Sequence, residues 1–201
     1  MTTDLHRYFA SLYASDEDPY RLRVRWYEER KRQVLLAALP QRRYRHAYEP
    51  GCGVAELTVR LAERCDALLA SDFDAGALEQ ARRRTAHLPH VRIEAHEMPR
   101  HWPAAERFDL IVLGELGYFL SHDALRLLAR RARASLRDGG TVVSCDWRPD
   151  FPQRQLPTDT VHALLQDALD LPSLVRHEED DFLLQVWSTD ARSVAQREGW
   201  K

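Results

Sequence analysis

Tyr48-Glu49-Pro50-Gly51-Cys52-Gly53-Val54-Ala55-Glu56-Leu57 decides the fold. It joins a short extended stretch, Ala47–Glu49, to a run of helical periodicity, Ala55–Arg64, with two glycines at the junction. Glycine lets the backbone turn tightly and approach a ligand, and a helix starting there offers unpaired N–H donors. A dinucleotide fingerprint requires Gly-x-Gly-x-x-Gly; its third glycine position holds Glu56 here, whose charge would repel a pyrophosphate. NAD is therefore disfavoured, and an acid-x-Gly-x-Gly turn between strand and helix remains.

Outward from this turn the strand–turn–helix pattern repeats. Strand Ala67–Ser71 precedes helix Ala75–His87, strand Val91–Ala95 precedes a loop, and strand Leu110–Leu113 precedes helix Ala124–Leu136. The turn Asp138-Gly139-Gly140 leads to the β-branched strand Thr141–Ser144. Strands alternating with helices of this length imply βαβ units and a mainly parallel sheet. Helix Thr158–Leu169 is followed by two strand-like runs, Ser173–Glu178 and Asp181–Ser188, which read as a closing antiparallel hairpin. Upstream, Asp4–Ala14 and Tyr20–Leu39 carry helical periodicity, the second with Val24, Tyr27, Val34, Leu35 and Ala38 on one stripe. Pro19 suits the start of that second helix and Pro40 closes it.

The expected architecture is an α/β, Rossmann-like, doubly wound sheet of seven mainly parallel strands. It forms a single domain over residues 1–201, with an N-terminal helical lid (1–45), a core (46–188) and a polar tail (189–201). The composition, 44% apolar and 30% charged, fits a soluble globular protein. No run approaches a membrane span, and Met1-Thr2-Thr3-Asp4-Leu5-His6 lacks a secretory pattern, so the expected location is cytoplasmic. Cys52, Cys65 and Cys145 are odd in number and widely spaced, which predicts free thiols and no metal site. A net charge of −2 argues against nucleic acid as a partner, despite dense arginine in Arg21–Arg32, Arg82–Arg84 and Arg126–Arg137.

At the tip of the second strand, Asp72 lies about twenty residues past the glycines, where a carboxylate can accept both hydroxyls of a ribose. Asp74 is placed to cap the following helix. Together with Phe108–Leu120 and the Asp138-Gly139-Gly140 turn, these segments resemble class I S-adenosylmethionine-dependent methyltransferases, with Ala55 in place of the family's last motif glycine. The resemblance implies S-adenosylmethionine as cofactor. It implies that Glu49 orients the cofactor's amino group, and that Gly51, Cys52 and Gly53 pass beside its methionine portion. Phe73 then packs on adenine, Glu97 and Met98 read the ring, and Gly114 ends the strand that faces the transferred methyl.

A narrower likeness covers most of the chain. Asp18-Pro19-Tyr20, Tyr27-Glu28, the glycine turn, Phe108–Leu120 and Asp180–Leu184 resemble the nodulation N-methyltransferase family, whose characterised members methylate the free amine of a de-N-acetylated chitooligosaccharide. The implied acceptor is a small-molecule amine, an amino sugar among them. Tyr20 falls where that family carries Trp, and Lys31 where it carries a basic residue near the cofactor carboxylate. The loop Asp146-Trp147-Arg148-Pro149-Asp150 departs from the family and makes the acceptor pocket this chain's own.

Methyl transfer from a sulfonium is an in-line displacement, and positioning two reactants can be worth roughly 7–11 kcal/mol. An amine must be neutral to attack, and a base that takes its proton contributes about 10²–10⁴-fold. Glu115, Tyr118 and His122, after the fourth strand, are the candidates for that role. Rival readings are a nucleic-acid methyltransferase, which steep salt dependence of RNA binding would reveal, and a cofactor-binding module without turnover.

Overall fold

The computed structural model describes residues 3–200; Met1, Thr2 and Lys201, the ends of the expected lid and tail, lie outside the described residues. Seven strands form one sheet in the order β3-β2-β1-β4-β5-β7-β6. They are β1 (Ala47–Pro50), β2 (Leu68–Asp72), β3 (Val91–Ala95), β4 (Phe108–Gly114), β5 (Leu136–Trp147), β6 (Ser173–Glu178) and β7 (Phe182–Ser188). β3, β2, β1, β4 and β5 pair in parallel, while β7 runs antiparallel between β5 and β6. The strand order reverses between β1 and β4, the point at which open α/β sheets leave a crevice beyond the strand C-termini.

The helices are α1 (Thr3–Ser15), α2 (Trp26–Ala38), α3 (Glu56–Ala62), α4 (Ala75–Thr85), α5 (His122–Ser135), α6 (Thr158–Leu169) and the short α7 (Val194–Arg197). Both faces of the sheet are covered. Along β4 the two-residue period sends Ile111 and Leu113 into one core with Tyr48, Leu125 and Trp187, and sends Leu110 and Val112 into the other with Leu35, Leu61 and Phe182. All of β1, β2 and β7 are buried, the polar Glu49, Ser71, Asp72 and Gln185 among them.

Local chemistry sets the helix ends. Asp74 accepts the Ala77 N–H at 3.0 Å and Ser121 accepts that of Ala124 at 3.3 Å, capping α4 and α5. Pro40 follows the C-cap residue of α2, and the guanidinium of Arg64 gathers carbonyls at the helix end and just past it, donating to Leu36 O, Leu39 O and Gln41 O.

Two sequence expectations are corrected. The second helix begins at Trp26 rather than Tyr20, because the Asp18 carboxylate takes the N–H groups of Leu22 and Arg23, at 2.8 and 3.1 Å, and Arg21 turns left-handed at φ 57°. Val24 consequently leaves the apolar stripe and is 74% exposed. The Asp138-Gly139-Gly140 turn is instead an irregularity inside the twelve-residue β5: the pairing jumps from Phe108↔Leu136 to Leu110↔Thr141, with Gly139 at φ 74°. No helix among the described residues is long and apolar enough to cross a membrane.

Candidate active site

The chain after β1 folds back on the tip of β2. Gly51 turns left-handed (φ 78°), and the N–H groups of Gly51 and Cys52 both donate to Ser71 O, at 2.7 and 2.9 Å. Gly53, also left-handed (φ 51°), donates its N–H to Asp72 Oδ2 at 3.0 Å. A Cβ on Gly53 would sit 3.2 Å from the Tyr13 hydroxyl, a tight approach that adds to the preference for glycine set by the positive φ. Ala55, in place of a third glycine, holds the same hand (φ 66°) as the residue before α3. The backbone thus turns as a glycine loop does, with a methyl group carried in the left-handed region.

Two carboxylates flank this turn. Asp72 is 8% exposed and receives the Gly53 and Asp74 N–H groups, each at 3.0 Å. Burial pushes its pKa up, against the pull of those backbone donors. Glu49 is buried at the end of β1 and accepts from Thr58 Oγ1 at 2.6 Å. Burial pushes its carboxyl up to about 8; the Thr58 hydrogen bond opposes this and the charge of Asp72 adds to it. Phe73 packs edge-on to Phe9, with ring centres 5.5 Å apart, and tilted against His6 at 4.7 Å. Met98 is buried beside the Tyr48 hydroxyl, which also lies 3.2 Å from His96 Nδ1.

The other end of the cleft is built from β4, β5 and α2. After Gly114, Glu115 takes a left-handed conformation (φ 55°) and its N–H reaches Cys145 O at 3.1 Å. Its carboxylate has three donors: Lys31 Nζ at 2.7 Å, the Trp147 N–H at 3.2 Å and the Tyr118 hydroxyl. Lys31 also pairs with Glu28 at 3.2 Å and lies 5.1 Å from the centre of the Tyr27 ring. Burial pulls the Lys31 pKa down, but Glu115 and Glu28 together outweigh it and hold the ammonium charged. Burial, reinforced by Glu115, pushes the Tyr118 phenol well above its ordinary value.

Both ends open into one cleft of about 560 Å³. Of the residues selected from sequence, Tyr20, Lys31, Glu49, Gly51, Cys52, Gly53, Asp72, Phe73, Met98, Gly114, Glu115 and Tyr118 line it. Glu97 and His122 are not brought in: Glu97 faces His6 at 3.5 Å outside the wall, with His96 lining in its place, and His122 is exposed in the first turn of α5. Sequence reasoning missed Phe9, Tyr13, Arg25, Glu28 and Arg32 from the first two helices. The four-residue spacing of Phe9 and Tyr13 was the available signal, and it equally describes a helix packed on a core. Among the described residues, no cluster of His, Cys, Asp and Glu could hold a metal ion.

A carboxylate at the β2 tip, left-handed glycines beside it and an aromatic at position 73 fit a nucleoside carrying an amino-acid arm. The cleft volume lies in the ordinary range for such ligands plus a small acceptor. The methyltransferase domain family matches residues 47–140, the whole segment from β1 into β5. A Pseudomonas syringae protein assigned to the methyltransferases is 46% identical, over 82% of this chain and 99% of that one, with a TM-score of 0.74. Nodulation protein S of Sinorhizobium fredii is 31% identical over 141 residues, 69% of this chain; the match spans 62% of that relative's length. The N-methyltransferase NodS of Bradyrhizobium japonicum, solved with S-adenosylhomocysteine, shares the fold at a TM-score of 0.76 and 24% identity, over 91% of this chain and 97% of that one. The turn after β1, the Asp72 tip and these similarities converge on one conclusion: the chain belongs to the S-adenosylmethionine-dependent methyltransferases.

Proposed function

We propose that this enzyme transfers the methyl group of S-adenosylmethionine to the amine nitrogen of a small molecule. The observation that carries the reading is Glu115, a carboxylate fixed by three donors at the end of β4, in the same cleft as Asp72. Its companion support is the similarity to nodulation protein S, which favours an amino sugar as acceptor.

In this reading Asp72 holds the ribose hydroxyls, Phe73 and Met98 enclose the adenine, and Gly51–Gly53 run beside the amino-acid arm, whose ammonium lies near Glu49. When bound, the cofactor supplies a methyl group already activated by its sulfonium. The protein's work is then positioning and water exclusion, for which Tyr13, Tyr20 and Phe9 supply aromatic cover from the N-terminal segment. Glu115 and Tyr118 orient the acceptor N–H groups, so that the nitrogen lone pair points at the methyl and the proton leaves on the carboxylate side. Lys31 holds Glu115 in register. Glu97 and His122 carry no part in this scheme.

The test is release of S-adenosylhomocysteine with glucosamine and de-N-acetylated chitooligosaccharides, set against their N-acetylated forms. Turnover confined to the free amines, and lost in Asp72→Ala together with cofactor affinity, is the expected result. Turnover with hydroxyl acceptors and none with any amine would sink the amine reading while leaving the cofactor site intact.

A further inference from the structure

The charges that line the cleft are mostly matched. Glu56 has two arginines, Arg23 at 2.9 Å and Arg84 at 2.6 Å. Glu28 and Glu115 share Lys31, and Asp72 is held by backbone donors. Two cleft-lining cations stand apart. Arg25, exposed at the head of α2, and Arg32, half-buried one residue past Lys31, have no carboxylate within 4.0 Å and no side-chain hydrogen bond among the described residues. They are seven residues apart, which places them on one side of the helix and about 10.5 Å apart along its axis. Two arginine side chains can close that gap onto a single group.

Lys31 cannot supply this function in the arrangement seen, because Glu28 and Glu115 already occupy its ammonium. The cofactor offers a single carboxylate to two guanidiniums, so at least one of them keeps no anionic partner when the cofactor is bound. A neutral amine acceptor would leave both guanidiniums, one exposed and one half-buried, without an anionic partner. An acceptor that brings an oxyanion of its own resolves the imbalance, and guanidinium is the side chain suited to gripping carboxylate or phosphate.

We infer that Arg25 and Arg32 bind an acidic group, carboxylate or phosphate, on the methyl acceptor. The inference rests on the amine-methyltransferase reading and narrows it to amines that carry an oxyanion at a distance from the nitrogen. It assigns acceptor specificity to the first turns of α2, which the glycine and aspartate motifs do not reach.

The experiment uses the full chain saturated with S-adenosylhomocysteine and inorganic phosphate as the probe, titrated calorimetrically into wild type and Arg25→Gln/Arg32→Gln. Wild type should bind phosphate, and the double variant should bind it at least roughly tenfold more weakly, as expected for loss of charge-assisted hydrogen bonds. Affinity for S-adenosylhomocysteine should stay within about threefold of wild type, well short of the loss of a charge-assisted contact. No phosphate binding by the loaded wild type, or equal binding by the double variant, overturns the proposal. A large fall in S-adenosylhomocysteine affinity in the double variant also overturns it, because the arginines would then serve the cofactor's own carboxylate. None of these readouts depends on which nucleophile takes the methyl, so failure here is distinct from failure of the amine assay.

Discussion

Replacing Glu49 by glutamine should remove a pH dependence of stability that the wild type carries. Glu49 is buried with one side-chain donor, Thr58, and burial pushes its pKa from 4.5 up to about 8. Between those values the native state keeps a proton that the unfolded chain has already released, so stability falls as pH rises through the window. At about 1.36 kcal/mol per pKa unit, the interval from 4.5 to about 8 corresponds to about 5 kcal/mol. About 2 kcal/mol of this falls between pH 6 and pH 8. For a chain of this length that is a Tm difference of about 4–8 °C. Glutamine keeps an acceptor for the Thr58 hydroxyl but has no proton to lose. Thermal unfolding of the cofactor-free protein at pH 6, 7 and 8 should show the wild-type Tm falling relative to Glu49→Gln, with every other titrating group cancelling in the comparison. Parallel Tm profiles for the two proteins would refute the reasoning. An ammonium placed beside Glu49 adds a second expectation. S-adenosylhomocysteine should bind wild type more tightly as pH rises toward 8, with proton release, and should bind the variant without that trend.

Three other perturbations test the frame of the site. Lys31→Met leaves Glu28 and Glu115 without their shared cation and should cost about 3 kcal/mol in urea unfolding; Lys31→Met/Glu115→Gln should cost less than the two single changes summed. Gly117→Ala places a Cβ 2.4 Å from Val161 Cγ1, forcing the turn that carries Tyr118 away from α6. The expected loss is about 1–3 kcal/mol, partly recovered by Val161→Ala, and no loss would show that α6 yields freely. His162→Phe removes the Nε2 partner, at 3.1 Å, of the fully buried Asp146 carboxylate and leaves it only Ser144. A loss of about 3–5 kcal/mol is expected, and its absence would show that the Asp146–His162 contact does not hold β5 to α6.

Elements whose causes are local could be read from the chain. The repeat from β1 to α5 follows from period-2 and period-3.6 apolar spacing, and Asp74 as a cap follows from its residue type before a helical run. Helix α6, β3 and β6 lie where the sequence puts them, residue for residue. The failures have tertiary or turn-level causes. Residues 20–25 carry helix-forming chemistry, but the Asp18 side chain captures the N–H groups that a helix would have used. Asp138-Gly139-Gly140 has the composition of a turn, yet the parallel pairing of β4 and β5 resumes on both sides of it and absorbs it as a bulge.

The two ends of the cleft differ in legibility for the same reason. The cofactor end is made by backbone next to its own strand tips: Gly51 and Cys52 bond to Ser71, and Gly53 to Asp72, so a fixed spacing in the chain becomes a fixed geometry in space. The acceptor end draws Lys31 from α2, Glu115 from the end of β4 and Trp147 from the end of β5, groups 84 residues apart in one case and 32 in another. No spacing rule links them, because what brings them together is the sheet order and the docking of α2 across it. His122 shows how narrow the margin is. It lies four residues beyond Tyr118, but Ser121 caps α5 between them, and the helix turns the imidazole to the surface while Tyr118 stays in the wall. Removing the imidazole, as in His122→Ala, should therefore leave turnover and its pH profile unchanged, and a loss of turnover would return His122 to the reaction.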